Sequence, residues 1–460
     1  MVERTVSYRK VDRCVALARV WRRFCKLPAT AVLFLWAAGC GGGGNTSTSS
    51  GSPGPSTQAL IGFDSTQVPT GEDAANGAFN IWTAKPDGSG SAALTTLTAL
   101  KADSLFPVWS PDASKLAFVS SRALDGSNSV SAGSTANLWV MNADGSSAQP
   151  LTKLTAASVD FYLPSRVQWW SPDGSKLAFA STRALDGSDA AIPAATRNIW
   201  VINADGSGAR PLTKLTASGA DSFLPKWSPD GSKLAFSSFR ALDGSNNANT
   251  TQLIPNVWIV NADGSGATPL TTLTAPGSVS WGPVWSPDGS KLAFVSSGAL
   301  DGSNSANNQS TPNVWVINAN GSGNHPLTKL TTAGGMVDPF DLSWSPDGNK
   351  IAFASFRALD GSDAVNPNLT RNIWIVNADG SGARPMTKNT AVVAHSVRPI
   401  WSPDGSRIAL ESQAALDGSD SANTNKTRNI WVINADGSGL APVTKLTAQG
   451  AEANEPAWRP

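Results

Sequence analysis

The sequence predicts an all-β fold: a seven-bladed β-propeller of four-stranded antiparallel blades, closed by pairing of the N- and C-terminal segments. Three observations carry this. Trp-Ser-Pro-Asp begins at Trp109, Trp170, Trp227, Trp285, Trp344 and Trp401, and a worn copy reads Trp458-Arg459-Pro460, at steps of 61, 57, 58, 59, 57 and 57 residues. A second tryptophan series follows Asn and an aliphatic residue, at Trp82, Trp139, Trp200, Trp258, Trp315, Trp374 and Trp431. The second series begins one segment earlier than the first, and the first ends at the C-terminus. A unit repeated at fixed period buries its faces against its neighbours, and the offset is what a ring locked by both chain ends requires.

The unit from Phe106 to Leu154 shows how one blade is built. Strand one runs into Pro107-Val108-Trp109, and Ser110-Pro111-Asp112 turns the chain. Strand two is Lys115–Ser120, a polar stretch through Ala-Leu-Asp-Gly-Ser follows, and strand three is Asn137–Met141. Asn142-Ala143-Asp144-Gly145 makes the next turn, since Asp-Gly supplies the positive φ of tight hairpins. Strand four is expected over Pro150–Leu154. Strands two and three are apolar on both faces, so both must be covered, as in a radial array of sheets. Each large aromatic buries roughly 150–250 Å², or ~4–6 kcal/mol as an upper bound. Fourteen register-repeated tryptophans are therefore read as core. Trp169 and Trp281 fall outside both series, which leaves exposure open to them.

Closure follows from what the ends lack. Residues 59–98 supply strands two to four of one blade, in Ala59–Phe63, Asn80–Trp82 and Ala93–Thr95, while residues 451–458 supply a strand one. The propeller is accordingly placed at 59–460.

The remaining residues read as an address and a leash. Before Cys40, eight Lys/Arg face Glu3 and Asp12, giving +6 there and −5 over the rest of a chain of net charge +1. Arg22, Arg23 and Lys26 precede a short apolar run, Ala29–Ala38, which is too brief for a membrane span and fits a secretory signal at 1–39. Ala37-Ala38-Gly39-Cys40 resembles the lipobox of bacterial lipoproteins, although that family usually has Leu where Ala37 stands. The resemblance implies lipid attachment at Cys40. Gly41 behind the cysteine implies, by analogy with enteric sorting, the outer membrane. Residues 40–58 are rich in Gly, Ser, Thr and Pro and read as a flexible tether. The three cysteines, Cys14, Cys25 and Cys40, all precede the repeats, which therefore have no disulfide framework.

Trp-Ser-Pro-Asp-Gly-Ser-Lys-Leu-Ala-Phe, as at Trp227–Phe236, with Asn-Ile-Trp-Val-Ile-Asn-Ala-Asp-Gly-Ser-Gly, as at Asn198–Gly208, resembles the TolB-type WD-like propeller repeat. The resemblance covers residues 59–460. It implies a periplasmic or surface propeller that binds proteins. Against that family this sequence has seven units rather than six, longer units, and no small N-terminal α/β domain. The family's own partners are therefore not carried over.

The candidate ligand residues lie six positions ahead of the signature tryptophan: Asp103, Asp221, Asp338, His395 and Glu452, with Val279 in one unit and Asp160 in the unit with extra residues. At the start of an innermost strand they would ring one mouth of the channel, where like charges raise one another's pKa and invite a cation; loop capping is the plainer alternative. The Ala-Leu-Asp-Gly-Ser loops place Asp125, Asp186, Asp243, Asp301, Asp360 and Asp417 in oxygen-rich segments where calcium is conceivable. They lack the alternating acids and closing Glu of a strong calcium loop, so no metal and no cofactor is expected. Catalysis has little support: the histidines are His325 and His395, and no Gly-x-Ser-x-Gly elbow is present. A mildly acidic repeat region lacks the basic footprint of nucleic-acid binding. The expectation is a monomeric, lipid-anchored envelope protein, periplasmic or at the cell surface, that binds a protein, peptide or envelope glycan. The alternative is a carbohydrate-active hydrolase or lyase using carboxylates at the channel mouth.

Overall fold

The computed structural model describes residues 59–156, 161–162, 169–192, 194–249, 253–307, 310–335, 337–338 and 341–460. The expected signal segment 1–39, Cys40, the expected tether to residue 58 and Asp160 lie outside these. Among the described residues the chain forms seven four-stranded antiparallel sheets. Six are consecutive meanders, beginning at Ser104, Phe161, Ser222, Ser280, Ser343 and Ser396; we number them blades 2 to 7. Blade 1 is composite: Ala453–Trp458 pairs antiparallel with Ile61–Gln67, which is followed by Ala75–Ala84 and Ala92–Ala93. Ile61 stands opposite Trp458.

Strands two and three are buried over nearly their whole length, as in Lys115–Ser120 and Asn137–Asn142, because each blade is covered on both sides. All seven strand-three tryptophans are 2% exposed or less. The signature indoles staple neighbours together. Trp170, Trp227, Trp285, Trp344 and Trp458 each donate Nε1–H to the carbonyl just before the signature tryptophan of the preceding blade, at 3.0–3.2 Å. Trp458 reaches Ile400 in this way and so belongs to the same series as the internal copies.

One open reading is closed and one expectation is corrected. Trp169 and Trp281 are buried, 0% and 5% exposed, although they stand outside the repeated series. The fourth strand is shorter than expected, Gln149–Pro150 in blade 2, and a side chain explains why. Asn137 Oδ1 accepts from the Leu154 N–H and the Thr152 hydroxyl, its Nδ2 donates to the Leu154 carbonyl, and Thr152 Oγ1 accepts from the Leu138 N–H. Leu-Thr-Lys-Leu therefore bonds to an asparagine instead of extending the ladder. The same Asn–Thr pairing recurs in every blade, from Asn80 with Thr95 to Asn429 with Thr444.

Candidate functional site

The first strands of neighbouring blades pack on one another, and the residues expected at one mouth of the channel stand at their leading ends. Asp103, Asp221, His395 and Glu452 each immediately precede an inner strand. Asp338 does not share that register. Val337 lies opposite Ser355 as Ser104 lies opposite Ser120, so Asp338 stands two positions further along, displaced by two extra residues before Trp344.

What these side chains touch is specific. Asp103 Oδ1 accepts from the Phe79 N–H at 2.9 Å, Asp221 Oδ1 from the Arg197 N–H at 2.6 Å, and His395 Nδ1 from the Arg371 N–H at 3.2 Å. Arg197 and Arg371 lie one residue ahead of the third strand of the preceding blade and Phe79 lies within it, so these side chains cap across the blade interface. Guanidinium groups stand among the acids: Arg371 lies 3.0 Å from Asp338, and Arg197 lies 3.8 Å from Asp221. Arg371 also stacks over Phe356, which meets His395 edge-on. Glu452 joins the closing blade through its backbone, donating N–H to Thr66 Oγ1 and accepting the Ser65 hydroxyl at its carbonyl. Burial, with the charges of Arg371 and Arg428, pushes His395 down to about 4. It is thus a neutral acceptor, consistent with its Nδ1 contact. The mouth is a mixed arc of acids, arginines and aromatics rather than a bare ring of like charge.

The Ala-Leu-Asp-Gly-Ser loops are held from within. Asp125, Asp186, Asp243, Asp301, Asp360 and Asp417 each accept, through Oδ1, the N–H of the serine two residues on. This is an Asx turn. Among the described residues no three His, Cys, Asp or Glu side chains converge as a metal site. Three positions after that aspartate stands an Asn or Asp with a different task. Asn128, Asp189, Asn246, Asn304, Asp363 and Asp420 accept backbone N–H groups just beyond strand four of the preceding blade, as Asn128 does from Thr98 and Ala99. In blade 1, Asp73 does the same for Thr447 and Ala448 at 3.0 Å. The arginine that opens the loop lies over its own strand-three tryptophan, as Arg122 does at 4.0 Å from Trp139. His325 is exposed on a fourth strand.

One group of charged residues escaped the sequence reading. Asp64, Asp341, Glu411 and Glu455 are buried, 0–4% exposed, around Arg398. A signal was present: Phe-Asp-Ser at Phe63 and Leu-Glu-Ser at Leu410 interrupt the repeated Ala-Phe-(Val/Ala/Ser)-Ser of strand two.

No family model matches the chain. An uncharacterized peptidase YuxL of Bacillus subtilis is 27% identical over 201 residues, 39% of this chain and 27% of that protein. A Tol-Pal system protein TolB of Anaeromyxobacter dehalogenans is 34% identical over 124 residues, 27% of this chain and 22% of that protein. The chain thus spans about a quarter of the length of these curated relatives. The solved structure of a puromycin-hydrolyzing peptidase of Mycobacterium tuberculosis superposes with a TM-score of 0.52 at 13% identity, over 85% of this chain and 51% of that one. That likeness is one of fold.

Proposed function

We propose that this chain, whose body is a TolB-type β-propeller, is a binding scaffold of the cell envelope. A lipid on Cys40 and the 40–58 tether would hold it, as a monomer, in the periplasm or at the cell surface, with the outer membrane as the anchoring layer. Its ligand is a protein, peptide or envelope glycan, seated at the channel mouth or on the long loops between strands two and three. Nucleic acid is not a partner, and the lipid is the membrane contact.

The observation that carries this reading is the way the mouth side chains are committed. Asp103, Asp221 and His395 accept from backbone N–H groups of the preceding blade, and Arg197 and Arg371 stand against Asp221 and Asp338. Groups fixed in this way form a preorganised recognition surface. A carbohydrate-active enzyme instead needs a free acid and base whose pKa values are pushed apart.

The test is retention against turnover. The full chain is incubated with envelope glycans and with envelope extract, and both bound material and newly formed reducing ends are measured. Retention without new reducing ends is the expected result; steady release of reducing sugar would replace the scaffold with the enzyme. Asp103→Asn with Asp221→Asn keeps the Oδ1 acceptors, so folding is expected to survive. Losing two charges at the mouth should weaken a bound ligand by about 1–3 kcal/mol, roughly tenfold or more. Unchanged retention would move the ligand from the mouth to the loops.

A further inference from the structure

The seam between the two chain ends carries charge where other blades carry none. On strand two, the residue opposite the one before the third-strand tryptophan is Val119, Ala180, Ser237, Val295 or Ala354 in blades 2 to 6. It is Glu411 in blade 7 and Asp64 in blade 1. On strand one, a bulge puts one residue at positive φ: Phe106, Leu224 and Gly282 in blades 2, 4 and 5, but Arg398 and Glu455 in blades 7 and 1. Three blades make the same bulge without a charged side chain, so the fold does not require these groups.

The charged residues link three successive interfaces. Asp341 Oδ2 accepts the bulge N–H of Arg398 at 3.0 Å, Glu411 Oε1 that of Glu455 at 2.7 Å, and Asp64 Oδ2 that of Phe106 at 3.0 Å. The Arg398 guanidinium contacts Glu411 at 3.0 Å and also Glu455, and Arg428 Nε lies 3.6 Å from Glu411. Asp64 is 1% exposed, and its Oδ1 has no hydrogen-bond partner among the described residues. Three other carboxylates and two guanidiniums share the cluster, so ionising Asp64 adds a second uncompensated negative charge inside the seam.

We propose that closure of the ring is proton-dependent, with Asp64 as the sensing carboxyl group. Burial first, then the charge of Glu455 and behind it that of Glu411, hold Asp64 well above the ordinary carboxylate range against the Phe106 N–H and Arg398. In the unfolded chain the same group ionises near 3.8. Between those limits the closed ring keeps a proton that the open chain releases to solvent. The stability that Asp64 contributes is therefore fully present below about 3.8 and is lost as pH rises from there towards the raised folded value. Ionisation beside Glu455 loosens strand Ala453–Trp458, including the Trp458 indole on the Ile400 carbonyl.

Hydrogen–deuterium exchange of the full chain from about pH 5 to about pH 9 tests this. Exchange of 61–67 and 453–458 is divided by that of the equivalent pair 222–227 and 233–238 in blade 4, which cancels the intrinsic pH dependence. In the wild type this ratio should rise several-fold with pH. In Asp64→Asn, and in Asp64→Val, which copies Val119, it should stay flat. A flat ratio in the wild type, or an equal rise in both variants, would overturn the proposal.

Discussion

At the scale of single residues, His395 shows how position in the ring sets chemistry. Its place immediately before the inner strand belongs to aspartate in two other blades, and like them it accepts a backbone N–H from the preceding blade. An imidazole does this only when neutral. Burial, Arg371 and Arg428 keep it neutral down to about 4, against an ordinary value of 6.5. Because the folded value lies below the unfolded one, the unfolded chain binds more protons in between. Stability is then lost as pH falls from 6.5 towards 4. His395→Asn keeps an acceptor and should flatten this limb of a melting-temperature profile. An equally steep acid limb in the variant would assign the loss to other groups. The signature turns titrate lower still: the Ser110 hydroxyl, then Ser114, bring Asp112 down to about 2.

Among elements, the loop between strands two and three acts as a clip rather than a loose insertion. Its Asx turn fixes the loop, and the Asn or Asp three residues on captures the preceding blade. All seven interfaces are fastened in this way, with Asp73 serving the seam. Asp73→Ala removes an acceptor for two backbone N–H groups and the Thr447 hydroxyl and should cost about 1–2 kcal/mol in denaturant unfolding. Asp73→Asn should be nearly neutral, because Asn128, Asn246 and Asn304 perform the same task elsewhere. If the alanine variant were also neutral, the clip would be ornamental. The strand boundaries of this unit were legible where a continuous apolar run set them, as in Lys115–Ser120. The short fourth strand was not legible, because its end depends on Asn137, which lies 15 residues before Thr152 and 17 before Leu154.

For the whole molecule, the ring stands or falls with its last strand. Removing 453–460 takes away the inner strand of blade 1 and the Trp458 staple. Roughly 4–6 kcal/mol of burial is at stake for that tryptophan alone, before entropy. A clear fall in melting temperature is expected; an unchanged one would mean that closure contributes little. The sequence by itself determined the blade count, the composite first blade and the two tryptophan series, because period and apolar alternation are local properties that every copy repeats. It also marked Asp103, Asp221, Asp338, His395 and Glu452 as one set, since they keep one distance from the signature tryptophan. Tertiary structure alone decided what those residues face, that two extra residues displace Asp338, that Trp169 and Trp281 are buried, and that four acids gather around Arg398. Each of these depends on which side chain a neighbouring blade presents, and that pairing joins residues from 24 to 58, or several hundred, positions apart. Spacing within one repeat carries no record of it.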